Sequence, residues 1–367
     1  MINKEMKEII FIVNSIDNQR CRKRVEEFRS NGFPVKIYGI NRGLKTSSWD
    51  DCEIIASYDN HLAYYKRCQI LINALRKVFK IHKKEKDVLW YYFGMDNAMF
   101  ALLYNRKGKF IYEESDLVHT YMSKKAAIWT MEKIDKFIIS RSALTVLTSE
   151  GFAEYHYPQK RPDNIVIKPN KLNPLIVNFP DYPPKELNSQ HLNFALVGMI
   201  RFDAVRRMAD IISKNFPNHQ FHFYGVLNVA TEKEENRFRI LDERENIHFH
   251  GRFKNPDELP KVYSQIDVVV STYDVENINV QYAEPNKLYE SIYYRTPIIV
   301  SKGTFLAKQV ERYNSGYSVD VSKDENIIFL VHQIEKDIDV MKRRMESIDR
   351  KVAIDNCQEL LQRVSFL

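Results

Sequence analysis

Uninterrupted apolar runs of strand length alternate along this chain with stretches whose apolar positions recur every three or four residues. EIIFIVNS (8–15) is such a run, and RCRKRVEEFRSNG (20–32) follows it at helical spacing and closes on Asn31-Gly32. PVKIYGI (34–40), DVLWYYFG (87–94), GKFIYEESD (108–116) and ALTVLTS (143–149) predict further strands, with helices over 96–105 and 121–137. After a proline-rich stretch at 160–190 the same alternation returns. NFALVGMIR (193–201) reads as a strand running into a loop, and AVRRMADIISKNFP (204–217) as a helix stopped by proline. HQFHFYG (219–225), NIHFHGRF (246–253) and DVVVST (267–272) read as strands, DELPKVYSQI (257–266) as a helix, and 325–363 as a charged helical segment. Apolar runs without a polar face predict parallel strands covered on both sides, joined by helical crossovers. The expected fold is therefore α/β, with two Rossmann-like doubly wound domains facing across a cleft. Their expected bounds are 1–175 and 176–345, with a helix at 346–367 packing back on the first domain. In such sheets ligands are expected at the carboxyl ends of the strands.

AEPNKLYESIYYRTPIIVS (283–301) concentrates the candidate chemistry. Pro285 suits a first helical turn, and Leu288, Ile292 and Tyr289, Tyr293 repeat at a spacing of four. Pro297 ends the helix, and Ile298-Ile299-Val300 reads as a buried strand. A helix start carries unpaired N–H groups and partial positive charge, so it suits an anion. Lys287 adds a full charge there, and Glu290 can accept from hydroxyls. VGMIRFDAVRR (197–207) is the second constellation: Gly198 ends a strand, and Arg201, Arg206 and Arg207 follow around a helix start. Guanidinium groups there suit a diphosphate.

The charge distribution adds a candidate partner. The chain is 367 residues long with a net charge of +7, but residues 1–180 carry 30 Lys and Arg against 20 Asp and Glu, whereas the remainder carries 25 against 28. A basic first half fits an anionic partner. No run reaches the length of a membrane span, the start lacks a secretory pattern, and Cys21, Cys52, Cys68 and Cys357 have no metal or redox spacing. These features fit a reducing, cytoplasmic setting. YYKRCQILINALRKVFKIHKKEK (64–86) sets an apolar seam of Tyr64, Cys68, Leu71, Leu75 and Val78 among Lys77, Lys80, Lys83, Lys84 and Lys86. This pattern is that of a membrane-surface helix on anionic lipid. There is no Walker lysine motif, and no G-x-G-x-x-G follows either first strand. Asp337 and Asp339 form a D-x-D, but residues two apart on a helix diverge and cannot share an ion.

With these segments in order, the chain resembles the GT-B glycosyltransferases of family 4, and IYEESDL (111–117) and VLTSEGFAEY (147–155) are similar to the bacterial capsule and lipopolysaccharide branch. The resemblance implies transfer of a sugar from a nucleoside-diphosphate sugar, UDP-linked by preference. The implied acceptor is a saccharide, a polyprenyl-diphosphate-linked oligosaccharide, at the inner face of the plasma membrane. It also implies retention of configuration, no metal and no other cofactor. By the same resemblance Gly198, Arg201 and Arg207, with Arg206 as substitute, hold the donor diphosphate, and Pro285, Asn286, Lys287, Leu288 and Glu290 cradle nucleotide and diphosphate. The backbone at Gly251 and Arg252 faces the base. Glu290 matches the second glutamate of the family's E-x7-E, while Tyr282 stands where the first belongs, with Glu276 and Glu284 out of register. Glu114, Asp116 and Lys287 are the implied catalytic groups, and Asn14, Arg20 and His119 the acceptor-side residues. Two other readings stay open. One is a nucleotide-sugar epimerase of the same fold, which would work without an acceptor. The other is a nucleic-acid-binding protein, for which no recognition module is present.

Overall fold

The computed structural model describes residues 7–43, 49–59, 62–85, 87–183, 185–229 and 231–367. The chain forms two compact units, Met1–Pro169 with Asn356–Leu367, and Asn170–Asp355.

In the first unit the strands are β1 (Glu8–Val13), β2 (Val35–Asn41), β3 (Cys52–Ser57), β4 (Val88–Phe93), β5 (Phe110–Glu114), β6 (Leu144–Leu147) and β7 (Ile165–Ile167). They form a parallel sheet in the order β3-β2-β1-β4-β5-β6-β7. Helices α1 (Gln19–Ser30), α2 (Tyr64–Ile81), α3 (Met95–Ala101), α4 (Lys125–Arg141) and α5 (Glu150–His156) make the crossovers. Every residue from Ile9 to Val13 is buried, as a central strand with both faces covered requires. Phe11 stacks on Tyr91 and packs edge-on against Phe28 of α1. A buried ion pair enters this core. Arg24 of α1 donates to Glu113 of β5 at 3.0 Å and also pairs with Glu27, while the Tyr91 hydroxyl donates to Glu113 as well.

The strands of the second unit are β8 (Asn193–Val197), β9 (Gln220–Tyr224), β10 (Ile247–Gly251), β11 (Val268–Ser271), β12 (Ile298–Ser301) and β13 (Gly316–Val319). They are parallel, in the order β10-β9-β8-β11-β12-β13. Their crossovers are α6 (Asp203–Asn215), α7 (Glu232–Asp242), α8 (Leu259–Ser264), α9 (Ile278–Tyr282), α10 (Lys287–Tyr294) and α11 (Phe305–Tyr313), followed by α12 (Asp324–Glu346). A last helix, α13 (Gln358–Ser365), belongs to the first unit, where Leu360, Leu361 and Val364 join the core of Ile9, Phe11 and Val25.

Several elements differ from the sequence expectation. The stretch 325–363 is not one helix: Asp349 caps a short 3-10 turn, Arg350–Ala353, between α12 and α13. Strand β7 lies inside the proline-rich segment as a three-residue edge, a place where flanking prolines cost no ladder bonds. Strand β3 is the opposite edge, and its mixed polarity hid it. Helix α7 had a legible signal in T-E-K-E, because Thr231 and Glu234 form a capping box.

Both strand orders reverse beside the first strand of their unit, between β1 and β4 and between β8 and β11. At the second reversal the backbone is drawn tight. Gly198 (φ 130°) donates its N–H to Tyr224, and Gly225 (φ 149°) donates to Gly251. A Cβ on Gly225 would lie 1.6 Å from the Gly198 carbonyl oxygen, so only glycine permits this approach. Gly225→Ala is therefore expected to destabilise the protein by about 3 kcal/mol. A urea midpoint equal to that of the parent would contradict it.

Candidate functional site

The carboxyl end of β8 and the start of α10 meet at one point. Lys287, at the first position of α10, runs along the Gly198 backbone: a Cβ built on Gly198 would sit 3.3 Å from Lys287 Cε and 3.9 Å from Nζ. The Lys287 ammonium donates to Glu290 Oε2 at 2.5 Å, and the Tyr263 hydroxyl donates to the same oxygen at 2.8 Å. Asn286 Nδ2 donates to Glu290 Oε1 at 2.5 Å. Burial and the adjacent Glu290 charge push the Tyr263 phenol far above its ordinary range, so it remains a donor. Glu290 is 1% exposed and both of its oxygens already accept. It fixes the lysine and the start of the helix, and a ribose hydroxyl would have to displace Asn286 to reach it.

The three arginines do not converge. Arg201 is exposed and lies over the Phe202 ring at 4.6 Å. Arg206 donates to Asp203 at 2.6 Å, and Arg207 donates to Asp324 at 2.5 Å. Neighbouring residues on a helix diverge by about 100°, so Arg206 and Arg207 cannot serve one anion together. Arg207 in particular turns to α12 instead of Gly198. The start of α6 is itself taken by a carboxylate, since Asp274 accepts from the backbone N–H groups of Asp203 and Ala204. Leu288 is fully buried in the core, so its side chain contacts no ligand. Glu284 accepts from the Tyr289 hydroxyl, and Tyr282 ends α9. Gly251 (φ 72°) and Arg252 are exposed at the end of β10, with open space where a Gly251 Cβ would project. Pro285 lies half-buried ahead of α10, and its carbonyl accepts from Leu288 N–H. A cavity of about 510 Å³ between Tyr182, Tyr263, Tyr294 and Arg350 lies under the amino ends of β11 and β12, and no sequence-expected donor residue lines it.

The first unit holds a cavity of about 490 Å³ at its own strand-order reversal. Asn14 follows β1, Asp96 follows β4 and Asp116 follows β5, and Arg42, Tyr64 and Arg67 line it too. The Tyr64 hydroxyl donates to Asp96 at 2.8 Å. Of the residues expected on the acceptor side, Asn14 and Asp116 are here, whereas Arg20 on α1 is not among the walls. Sequence reasoning missed Asp96, although its place directly after a buried strand, in F-G-M-D, was the available signal.

Glu114 and His119 are elsewhere. Glu114 is buried and bonds His156 Nε2 at 2.9 Å, and His119 is buried between Tyr155 and Asp135. Burial, then the charge of Asp135, push the Glu114 carboxyl well above the ordinary range, which unsuits it as a base for an acceptor hydroxyl. Residues two apart share a face only while a strand continues, and β5 ends at Glu114, so Asp116 lines the cavity while Glu114 stays in the interior.

On α2 the seam residues Leu71, Leu75 and Val78 are packed in the core, while Tyr64 remains exposed. Lys77, Lys80, Lys83 and Lys84 are exposed with Tyr65 and Ile81, and Lys86 lies outside the described residues. Among the described residues no helix is long and apolar enough to cross a membrane.

A tight glycine reversal with a lysine from a following helix is the arrangement found at residues 199–351 and just before them, and that region matches the family model described as glycosyl transferases group 1. Whole-chain comparison with solved structures bears on the fold. Sucrose-phosphate synthase from Thermosynechococcus elongatus superposes with a TM-score of 0.71 at 15% identity, covering 98% of this chain and 97% of that one. Anabaena HepE, in complex with UDP-glucose, gives 0.69 at 11% identity, covering 98% and 100%. The lipopolysaccharide outer core galactosyltransferase WaaB gives 0.62 at 14%, covering 92% and 94%. The architecture, two parallel α/β sheets of seven and six strands, is that of the GT-B glycosyltransferases. No protein of curated function matches the chain in sequence.

Proposed function

We propose that the protein moves a sugar from a UDP-sugar to a saccharide acceptor, with the donor bound at the group 1 region. The observation that carries this reading is Lys287, a nearly buried cation held by Glu290 against the glycine backbone at the end of β8. The reaction leaves a nucleoside diphosphate, and charge develops on its β-phosphate as the glycosidic bond breaks. A fixed ammonium stabilises that charge more in the transition state than in the bound donor, because it does not reorganise when the bond breaks. Arg201 and the α10 start add to it, and no metal is called for at this site. That HepE was solved with UDP and with UDP-glucose supports uracil as the donor's base.

The acceptor reading rests on the first unit's cavity, where Asp116 and Asp96 can accept from sugar hydroxyls. We assign to it an oligosaccharide on a polyprenyl diphosphate, in bacterial capsule or surface polysaccharide synthesis, with retention as in family 4. Lys77, Lys80, Lys83 and Lys84 on the solvent face of α2 would then meet anionic lipid on the inner face of the plasma membrane, at about 1 kcal/mol each.

The test is a thermal-shift panel of UDP, GDP, CDP and TDP and their sugar conjugates, with and without Mg²⁺. At a hundred times its dissociation constant a ligand stabilises by about 2.7 kcal/mol. The expected result is a shift with uridine ligands alone, the same with Mg²⁺ as without it. A flat panel on folded protein would overturn the donor reading.

A further inference from the structure

Four titratable side chains from four segments of the first unit meet in its interior, away from the cavity walls. Glu114 ends β5, Asp135 lies on α4, His156 ends α5, and His119 stands on a 3-10 turn, Val118–Tyr121. All are at most 2% exposed. His156 Nε2 is 2.9 Å from Glu114 Oε2 and 4.0 Å from Asp135 Oδ2, and His119 Nδ1 is 3.5 Å from the same Asp135 oxygen. The facing atoms of Glu114, Asp135 and His156 all lie within 4.8 Å of one another. We propose that Glu114, Asp135 and His156 hold one divalent transition-metal ion, zinc by preference, inside the first unit, with His119 beside them against Asp135.

Three observations carry this. The first is spacing. Ligands at about 2.0–2.1 Å from a tetrahedral zinc are about 3.3 Å apart, and the distances here bracket that value. The second is hydrogen bonding. Asp135 Oδ2 and His119 Nδ1 are buried, and neither has a hydrogen-bond partner nearer than the other, 3.5 Å away. Their opposite atoms are engaged, Asp135 Oδ1 by the Tyr112 hydroxyl at 2.9 Å and His119 Nε2 by the Tyr155 hydroxyl at 3.2 Å. Outer partners of this kind orient metal ligands and leave the inner atom directed at the ion. The third is charge. Glu114 and Asp135 are buried together, and among the described residues no lysine or arginine bonds either one. A divalent cation would balance both when ionised, and the His156 imidazole with two carboxylates forms a nitrogen–oxygen set suited to zinc.

The ion would be out of reach of substrate, and its role is to position. Glu114 and His119 bracket Asp116 and Val118, which line the acceptor-side cavity. Metal binding therefore ties down the segment that shapes that wall, separately from the metal-free chemistry proposed at Lys287.

The experiment uses the full chain purified without a polyhistidine tag. Elemental analysis is expected to find about one equivalent of zinc per chain, and cobalt substitution to give the visible absorption of a tetrahedral site. Asp135→Asn and His119→Gln should each weaken binding about tenfold or more. The parent should lose thermal stability with a chelator and regain it with Zn²⁺, a measurement that does not depend on any variant folding. A second histidine group, His222, His248 and His250 on β9 and β10, with His222 Nδ1 3.0 Å from His250 Nε2, is the control. Metal that persists in Asp135→Asn and is lost in His222→Ala would overturn the proposal. So would a metal-free parent whose melting temperature responds neither to chelator nor to Zn²⁺, Mn²⁺ or Fe²⁺.

Discussion

Lys287→Ala is expected to lower kcat/KM for the nucleotide-sugar by about 10²–10³-fold, the usual cost of removing one fixed group that faces developing charge. The loss should fall mainly on kcat, because the ammonium is positioned before the donor arrives. Glu290 holds it at 2.5 Å and is itself held by Tyr263 and Asn286. Lys287→Arg is not expected to rescue the rate. The lysine chain passes 3.3 Å from where a Gly198 Cβ would be, and the wider guanidinium has no room along that backbone. The alanine change leaves Glu290 buried with Tyr263 and Asn286 alone, so a stability loss of about 3 kcal/mol is expected beside the rate effect, and rates are compared on folded variant. A folded variant that retains a rate within threefold would remove Lys287 from the reaction.

The largest stability effect is expected from Arg24→Met. Arg24 and Glu113 are 2% and 0% exposed, and the replacement leaves the Glu113 carboxylate in the core with only the Tyr91 hydroxyl. Breaking a buried pair by removing one partner costs about 3–5 kcal/mol, because an uncompensated charge stays behind. Urea unfolding should show this loss, and Arg24→Met with Glu113→Gln should recover part of it, since the carboxylate charge is then gone. A single variant within 1 kcal/mol of the parent, about the limit for a surface ion pair, would mean that the pair does not hold the core.

The α/β class and most strands were legible because a buried parallel strand needs an unbroken apolar run, and that demand is local. Gly198, Lys287 and Glu290 could be singled out for a similar reason, since a strand end, a glycine and a helix start are all marked within a few residues. What each side chain does there was not local. Arg206 and Arg207 are adjacent in sequence, yet one answers to Asp203 and the other to Asp324, far along the chain. Glu114 and Asp116 look equivalent in E-E-S-D, but the end of β5 leaves one facing His156 in the interior and the other lining a cavity. The seam of α2 has the pattern of a membrane-surface helix, and packing on the first sheet buried Leu71, Leu75 and Val78 and left the lysines outside. Spacing in the chain determined which elements form and where their ends lie. Only the tertiary structure decided which charges are paired, because an ion pair depends on separation in space, and partners that far apart in sequence leave no periodic trace.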